Sequence, residues 1–307
     1  MNLRRLKYFI KIVDTGSLTQ ASEILHIAQP ALSQQLATLE HEFERKLLVR
    51  TRSGVTPTEA GKVLYRHAQL MMRQFAQAKS DVMNSGQILS GTVSVGLAPG
   101  TAASALALPL LQTTHLRHPG IVLHINENMG TTLCEVVKNG SMDMALIYGG
   151  KRAVQGLTFD QLLNEELFVV APIGALGGGE QISLRDLREI DLLLPRTNNF
   201  LRNYVDEAFA AHQVAPRVVA EIESSVTLAS AVASGVGATI LPASAARSVA
   251  ASIPSHLCRI VSPTIEVPLA LCTSDHLPLS EPAQTIRIII LELVENLEPT
   301  AGLHSIH

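Results

Sequence analysis

The twenty residues from Gly16 to Gln35 constrain this chain more than any other stretch. They read as two short helices joined by a tight turn. Gly16 ends a preceding helix. Ser17 and Gln20 form a capping-box pattern that opens the next one, with Leu18, Ala21, Ile24 and Leu25 facing inward. His26-Ile27-Ala28 makes the turn. A further helix starts at Gln29-Pro30, where a proline is tolerated because first-turn amides lack intrahelical partners.

The flanking residues extend this unit. Leu3, Leu6, Phe9, Ile10 and Val13 recur at helical spacing and predict a first helix over Leu3–Asp14. On the third helix Leu32, Leu36, Leu39 and Phe43 share the core face, while Pro30, Ser33, Gln34 and Ala37 share another. That second face has no charge and little bulk, whereas a merely solvated face usually carries Lys and Glu, which begin only at Glu40. Gln and Ser donate to and accept from base edges, and Pro or Ala can touch a thymine methyl. The bland alternative is a helical hairpin with a polar surface. Leu47–Arg52 reads as a strand and Arg52-Ser53-Gly54 as the tip of a hairpin wing. Arg50 and Arg52 are candidates for phosphate contact, which positions a protein without reading sequence; solvated charge is the alternative.

Charge distribution supports the nucleic-acid reading. The whole chain carries −3, which alone argues against it. Residues 1–90 hold 12 Lys/Arg against 7 Asp/Glu, a balance of +5 that leaves −8 on the remaining 217 residues. A basic N-terminal module on an acidic body is the asymmetry of a DNA reader with a separate control domain.

Thr56-Pro57-Thr58-Glu59 is a second capping-box pattern, with proline at the first helical position. The helix it opens is expected to run to about Gly86. Leu64, Ala68, Met71, Phe75, Ala78 and Val82 alternate spacings of four and three, a heptad-like seam. About 30 residues at 1.5 Å each give a rod of roughly 45 Å. Either it packs on its own domain, or it joins two copies and presents two recognition helices to an inverted-repeat site.

From Gly91 onward strands and helices alternate, which predicts α/β halves with an open parallel sheet. Strands are expected at 92–97, 122–126, 143–148, 167–171, 192–194, 218–222, 238–241 and 267–272, with a closing helix over 283–297 and a frayed tail. The expected division is a winged helix-turn-helix over 1–58 and a linker helix over 59–88. A two-subdomain clamshell follows, with subdomain I at 89–162 and 266–307 and subdomain II at 163–265. The cleft should lie where strands deliver helix N-termini, whose free amides favour anions. Thr101, Ser104, Thr131, Thr132, Ser225 and Thr227 are candidate effector contacts there, or simply helix caps, and Arg196 is a candidate carboxylate partner.

Cys134, Cys258 and Cys272 fit no metal spacing and are expected as small core residues in a reducing compartment. No metal or cofactor is expected. The N-terminus lacks an apolar stretch behind its basic residues and no apolar run reaches membrane-spanning length, so a cytoplasmic location is expected. A solute-binding protein or an enzyme on the same clamshell is the alternative function. The first would need an export signal. For the second no nucleophile elbow, phosphate loop, dinucleotide turn or metal triad is visible, and Gly177-Gly178-Gly179 reads as a loop.

Gly16-Ser17-Leu18-Thr19, Ala21, Leu25, Gln29 through Gln34, Leu39-Glu40, Leu47-Leu48, Arg50, Thr58 and Ala60-Gly61 together resemble the LysR-type transcriptional regulators. The resemblance implies that Gln29, Pro30, Ser33 and Gln34 meet bases while Thr19, Arg50 and Arg52 lie near the DNA backbone. It also implies a homodimer or homotetramer, RNA polymerase as a partner, activation or repression of transcription, and a small-molecule effector in the cleft. Segments 27–35, 54–61 and 96–104 are similar to the branch of the family that controls nitrogen assimilation in enteric bacteria. Leu48 stands where the family usually has Phe, Glu44 where Gly is common, and Pro57 where Leu is frequent. Ala28 replaces a frequent Ser or Thr, which weakens the helix cap by about 1 kcal/mol.

Overall fold

The computed structural model describes residues 2–51, 54–84, 89–99, 102–149, 154–295 and 303–305. They form two compact units: Met1–Gln87 with Asn139–Ser141, and Ile88–Lys138 with Met142–His307.

The N-terminal unit comprises α1 (Leu3–Thr15), α2 (Leu18–Leu25), α3 (Gln29–Glu42), β1 (Leu48–Thr51), β2 (Gly54–Pro57) and α4 (Glu59–Asn84). Gly16 caps α1 in the left-handed conformation at φ 63°, and Ser17 accepts from the Gln20 amide to start α2. The core buries Leu6, Phe9, Ile12, Leu18, Ala21, Leu32, Leu36 and Leu39. Ile12, outside the stripe predicted for α1, is buried as deeply as Leu6, and Leu3, Ile24 and Phe43, expected inward, are exposed. Phe43 ends α3 as its C-cap, so its side chain leaves the inward row.

α4 begins later than its sequence pattern suggests. Pro57 pairs with Leu48 at the end of β2, and Thr58 is the capping residue. Its hydroxyl oxygen accepts from the Gly61 amide (3.0 Å), and the hydroxyl donates to the Lys46 carbonyl (2.7 Å). The reason is steric: a Cβ on Gly61 would lie 2.0 Å from the Leu47 carbonyl oxygen, so helix and hairpin meet backbone to backbone. A Cβ on Gly54, at φ 130°, would lie 2.6 Å from the Gly16 carbonyl oxygen, and the Val55 amide donates to that carbonyl at 2.7 Å.

The C-terminal unit opens with β3 (Gly91–Leu97), α5 (Ala102–Arg117), β4 (Ile121–Glu127), α6 (Gly130–Lys138), β5 (Met144–Tyr148) and the long β6 (Leu157–Ala171). After β7 (Gln181–Ser183) and a 3-10 turn at Asp186–Glu189 come β8 (Asp191–Leu194), α7 (Phe200–Ala211), β9 (Arg217–Glu221) and α8 (Ser225–Ala233). β10 (Ala238–Pro242), α9 (Ala243–Ser252), β11 (His256–Val261), β12 (Glu266–Ser274), α10 (Glu281–Glu295) and β13 (Leu303–Ser305) complete it.

The sheet is mixed rather than parallel. Parallel pairs join β3 to β4 and β5, and β8 to β9 and β10. β12 runs antiparallel to both β5 and β6, and β10 and β11 run antiparallel to β6. The chain crosses from the first half-sheet to the second in β6 and returns through β12, and an outward and a returning strand lying side by side must be antiparallel. Residues 303–305, expected as frayed tail, pair with Leu163–Glu165 of β6. The three cysteines are free and buried. In α10 Ile286 and Ile290 are buried as expected; Leu297 lies outside the described residues. Among the described residues no helix is long and apolar enough to cross a membrane, and no cluster of ligating side chains could hold a metal ion.

Candidate nucleic-acid interface and ligand cleft

In α3 the residues predicted to read bases fall on the surface side of the helix. Pro30, Gln34 and Ala37 are exposed, and Gln29 and Ser33 are half-buried. Thr19 is exposed on α2. The N-cap, Ala28, makes no side-chain cap hydrogen bond to the first amides of α3. Gln35, one residue along, is already engaged: its side-chain oxygen accepts from Arg5 Nε of α1 at 3.0 Å, and Arg5 also pairs with Glu42. That pairing fixes α3 against α1 and separates Gln35 from its neighbour Gln34. The backbone of Arg50 pairs with Val55 in the hairpin; Arg52, at the tip, lies outside the described residues.

Glu40, which sequence reasoning counted among solvated charges, joins the elements that carry these residues. It is buried. Oε1 accepts from the amides of Leu47 (3.0 Å) and Leu48 (3.3 Å), and Oε2 accepts from Lys46 Nζ (2.7 Å). Burial works to raise its pKa, but the Lys46 hydrogen bond and the two amides outweigh burial and hold the carboxyl below the usual value. Glu40 thus ties the C-terminal end of α3 to the first strand of the hairpin. Tyr65 of α4 donates to Asp14 of α1; burial and that carboxylate push the phenol pKa up.

The predicted dimer seam on α4 divides in two. Leu64 and Ala68 are buried in the unit's own core, and Met71 packs against it. These two therefore serve the monomer, because this part of α4 packs on α1. Phe75 (53% exposed) and Val82 (75%) are exposed further along, as is Ala78.

In the C-terminal unit a cavity of about 100 Å³ is lined mainly by apolar groups, among them Ala98, Pro99, Met129, Gly130, Phe200 and Leu241, with Asn199, Glu223 and Ser225. An adjoining hollow of about 410 Å³ carries Ser104, Glu127, Ser225, Ser244 and Ser248. Of the predicted effector residues, Ser104 and Ser225 come together here. Thr131, Thr132, Arg196 and Thr227 line neither space, and Thr101 lies outside the described residues. The Phe200 ring packs near Gly130, the first residue of α6, so that a Cβ there would lie 2.8 Å from it. Ser224, not Ser225 or Thr227, caps α8, accepting from the Thr227 amide at 3.3 Å. Tyr148 lines the cavity and donates its hydroxyl to Glu165; burial and that carboxylate raise the phenol pKa well above its ordinary value.

Comparison with known proteins follows the same division. Residues 3–62 match the bacterial regulatory helix-turn-helix of the lysR family, and residues 86–294 match the LysR substrate binding domain. The chain is 49% identical over 294 residues to the nitrogen assimilation regulatory protein of Klebsiella aerogenes, covering 96% of this chain and 95% of that one. It is 46% identical over 296 residues to the protein of that name from Escherichia coli K12, covering 96% of each. Among solved structures, a full-length OxyR variant from Pseudomonas aeruginosa shares the fold at TM-score 0.74 and 22% identity, covering 100% of this chain and 99% of that one. Full-length CbnR in complex with its target DNA shares it at 0.67 and 22%, covering 96% and 99%.

Proposed function

The chain belongs to the LysR family of bacterial transcriptional regulators, and from that premise we propose how it engages DNA. The uncharged outer face of α3 enters the major groove, with Gln29, Ser33 and Gln34 choosing sequence and Pro30 supplying apolar contact. Thr19, Arg50 and Arg52 meet phosphate. The observation that carries this reading is that Gln34 stands exposed on α3, whose N-cap residue Ala28 makes no cap bond, while Gln35 is held by Arg5. An uncapped helix start directs its amides at phosphate oxygens.

The test compares the wild type with a Gln29→Ala, Ser33→Ala, Gln34→Ala variant on selected and scrambled duplexes. Each lost base contact is worth about 1–3 kcal/mol, so affinity for the selected site should fall by about 100-fold or more, with little change on scrambled DNA. Equal losses on both would reject the reading. Arg50→Ala should reduce the salt slope of binding by about one.

Two copies join along the distal part of α4, where Phe75, Ala78 and Val82 continue the seam beyond the core that Met71 still touches. Phe75→Glu should shift the sedimentation coefficient toward the monomer. The relatives from Klebsiella aerogenes and Escherichia coli support genes of nitrogen assimilation as targets; RNA polymerase as promoter partner and a cytoplasmic location follow from the reading as a transcriptional regulator. A small-molecule effector would occupy the space that Ser104 and Ser225 share.

A further inference from the structure

Glu165 has no solvent exposure, yet among the described residues its partners are two backbone amides and a hydroxyl rather than an arginine or lysine. Oε2 accepts from the amide of Ala102 (3.2 Å) and the hydroxyl of Tyr148, and Oε1 accepts from the amide of Ser244 (2.9 Å). Ala102 is the first residue of α5, which follows β3 of the first half-sheet; Ser244 is the second residue of α9, which follows β10 of the second. Glu165 itself sits on the crossing strand β6, opposite Val267 of β12 and two residues before Leu167 begins the pairing with β10. Its neighbour Glu166 faces the other side of the strand and pairs with Arg259 of β11.

A helix N-terminus carries a partial positive charge and unsatisfied N–H groups, and it favours an anion. Here two such termini, one from each half, converge on a single carboxylate. We propose that Glu165 is a built-in anion of the clamshell, a positioning residue that ties the two halves together where a bound small carboxylate would otherwise stand. Separating α5 from α9 strips at least one amide of its acceptor, so Glu165 favours the closed arrangement without any diffusible ligand. Truncating it leaves two amides and a hydroxyl arranged to bind formate. The inference stands independently of what the protein regulates.

The experiment uses the purified full-length protein and measures amide hydrogen exchange at Ala102 and Ser244. In Glu165→Ala both amides should exchange at least tenfold faster than in the wild type. Sodium formate should slow both saturably, sodium chloride at equal ionic strength should not, and neither salt should change the wild type. Acceleration at only one amide would make Glu165 the cap of a single helix and overturn the tie. Acceleration at both without formate protection would overturn the anion site. Should the alanine variant fail to fold, the isosteric Glu165→Gln keeps a carbonyl for one terminus and turns an NH₂ toward the other. One of the two amides should then exchange at least tenfold faster, and wild-type rates at both would refute the proposal.

Discussion

In the N-terminal unit Glu40 accepts from amides seven and eight residues further along the chain, and a lysine six residues on completes its shell. In the C-terminal unit Glu165 accepts from amides 63 and 79 residues away. The chemistry is alike, since a buried carboxylate is satisfied by backbone N–H groups in each. The difference lies in when each can form. The Glu40 clamp closes a short loop at small entropic cost and can form with the helix and hairpin it joins. The Glu165 tie exists only once both half-sheets are assembled. A defect at Glu40 should therefore remain within its own unit, and one at Glu165 should loosen the relation between two halves.

The first way to break that contrast is Gly61→Ala. Its added methyl would meet the Leu47 carbonyl, backbone against backbone, and should destabilise the N-terminal unit by about 3 kcal/mol. Calorimetry should show the transition of that unit lowered and that of the C-terminal unit in place; a common shift would show that the units unfold together. Glu40→Ala is the next largest. Removing the acceptor of two amides should cost about 2 kcal/mol, read by urea unfolding followed through DNA binding.

pH provides a third test. Glu40 has a folded pKa below its unfolded value of about 4.5, so its contribution is fully present above that value. It is lost as pH falls through the folded pKa. The stability difference between wild type and Glu40→Gln should shrink on acidification below about pH 4.5; a difference that stays constant would mean the carboxylate charge is irrelevant. The smallest effect belongs to Arg5→Met, whose partly exposed pairing with Glu42 should be worth about 0.5 kcal/mol. A larger loss of DNA affinity than of stability would show that the bond from Arg5 to Gln35 aligns α3.

Sequence patterns exposed the N-terminal unit because its determinants are local. Gly16, the Ser17 cap and the Leu32, Leu36, Leu39 row lie within the elements they define. Where a tertiary contact decides, the pattern misled: Thr58 displaced Thr56 as the cap of α4 because Gly61 must approach Leu47. Leu64 and Ala68 fit a heptad as well as they fit a core, and periodicity cannot separate the two. Residues 157–166 lie outside the strands expected from sequence, and there Thr158, Asp160, Gln161 and Asn164 break the apolar run that marks 167–171. Glu165 was hidden for a related reason: nothing near it in sequence announces amides brought from α5 and α9.

β6 carries a last consequence. One strand of 15 residues, with a single register shift opposite Leu269 and Ala270, belongs to both half-sheets, so the halves are coupled through a pleat rather than a loose joint. Such a strand behaves like a leaf spring: it can flex and twist, but it cannot swivel without breaking its ladders. Adding or deleting one residue within it would rotate everything beyond that point to the opposite face, turning one half inside out relative to the other. Length variation is thus disfavoured there away from the existing register shift, while the loop at Gly177 and Gly178, where an added Cβ would meet nothing within 4 Å, can absorb it.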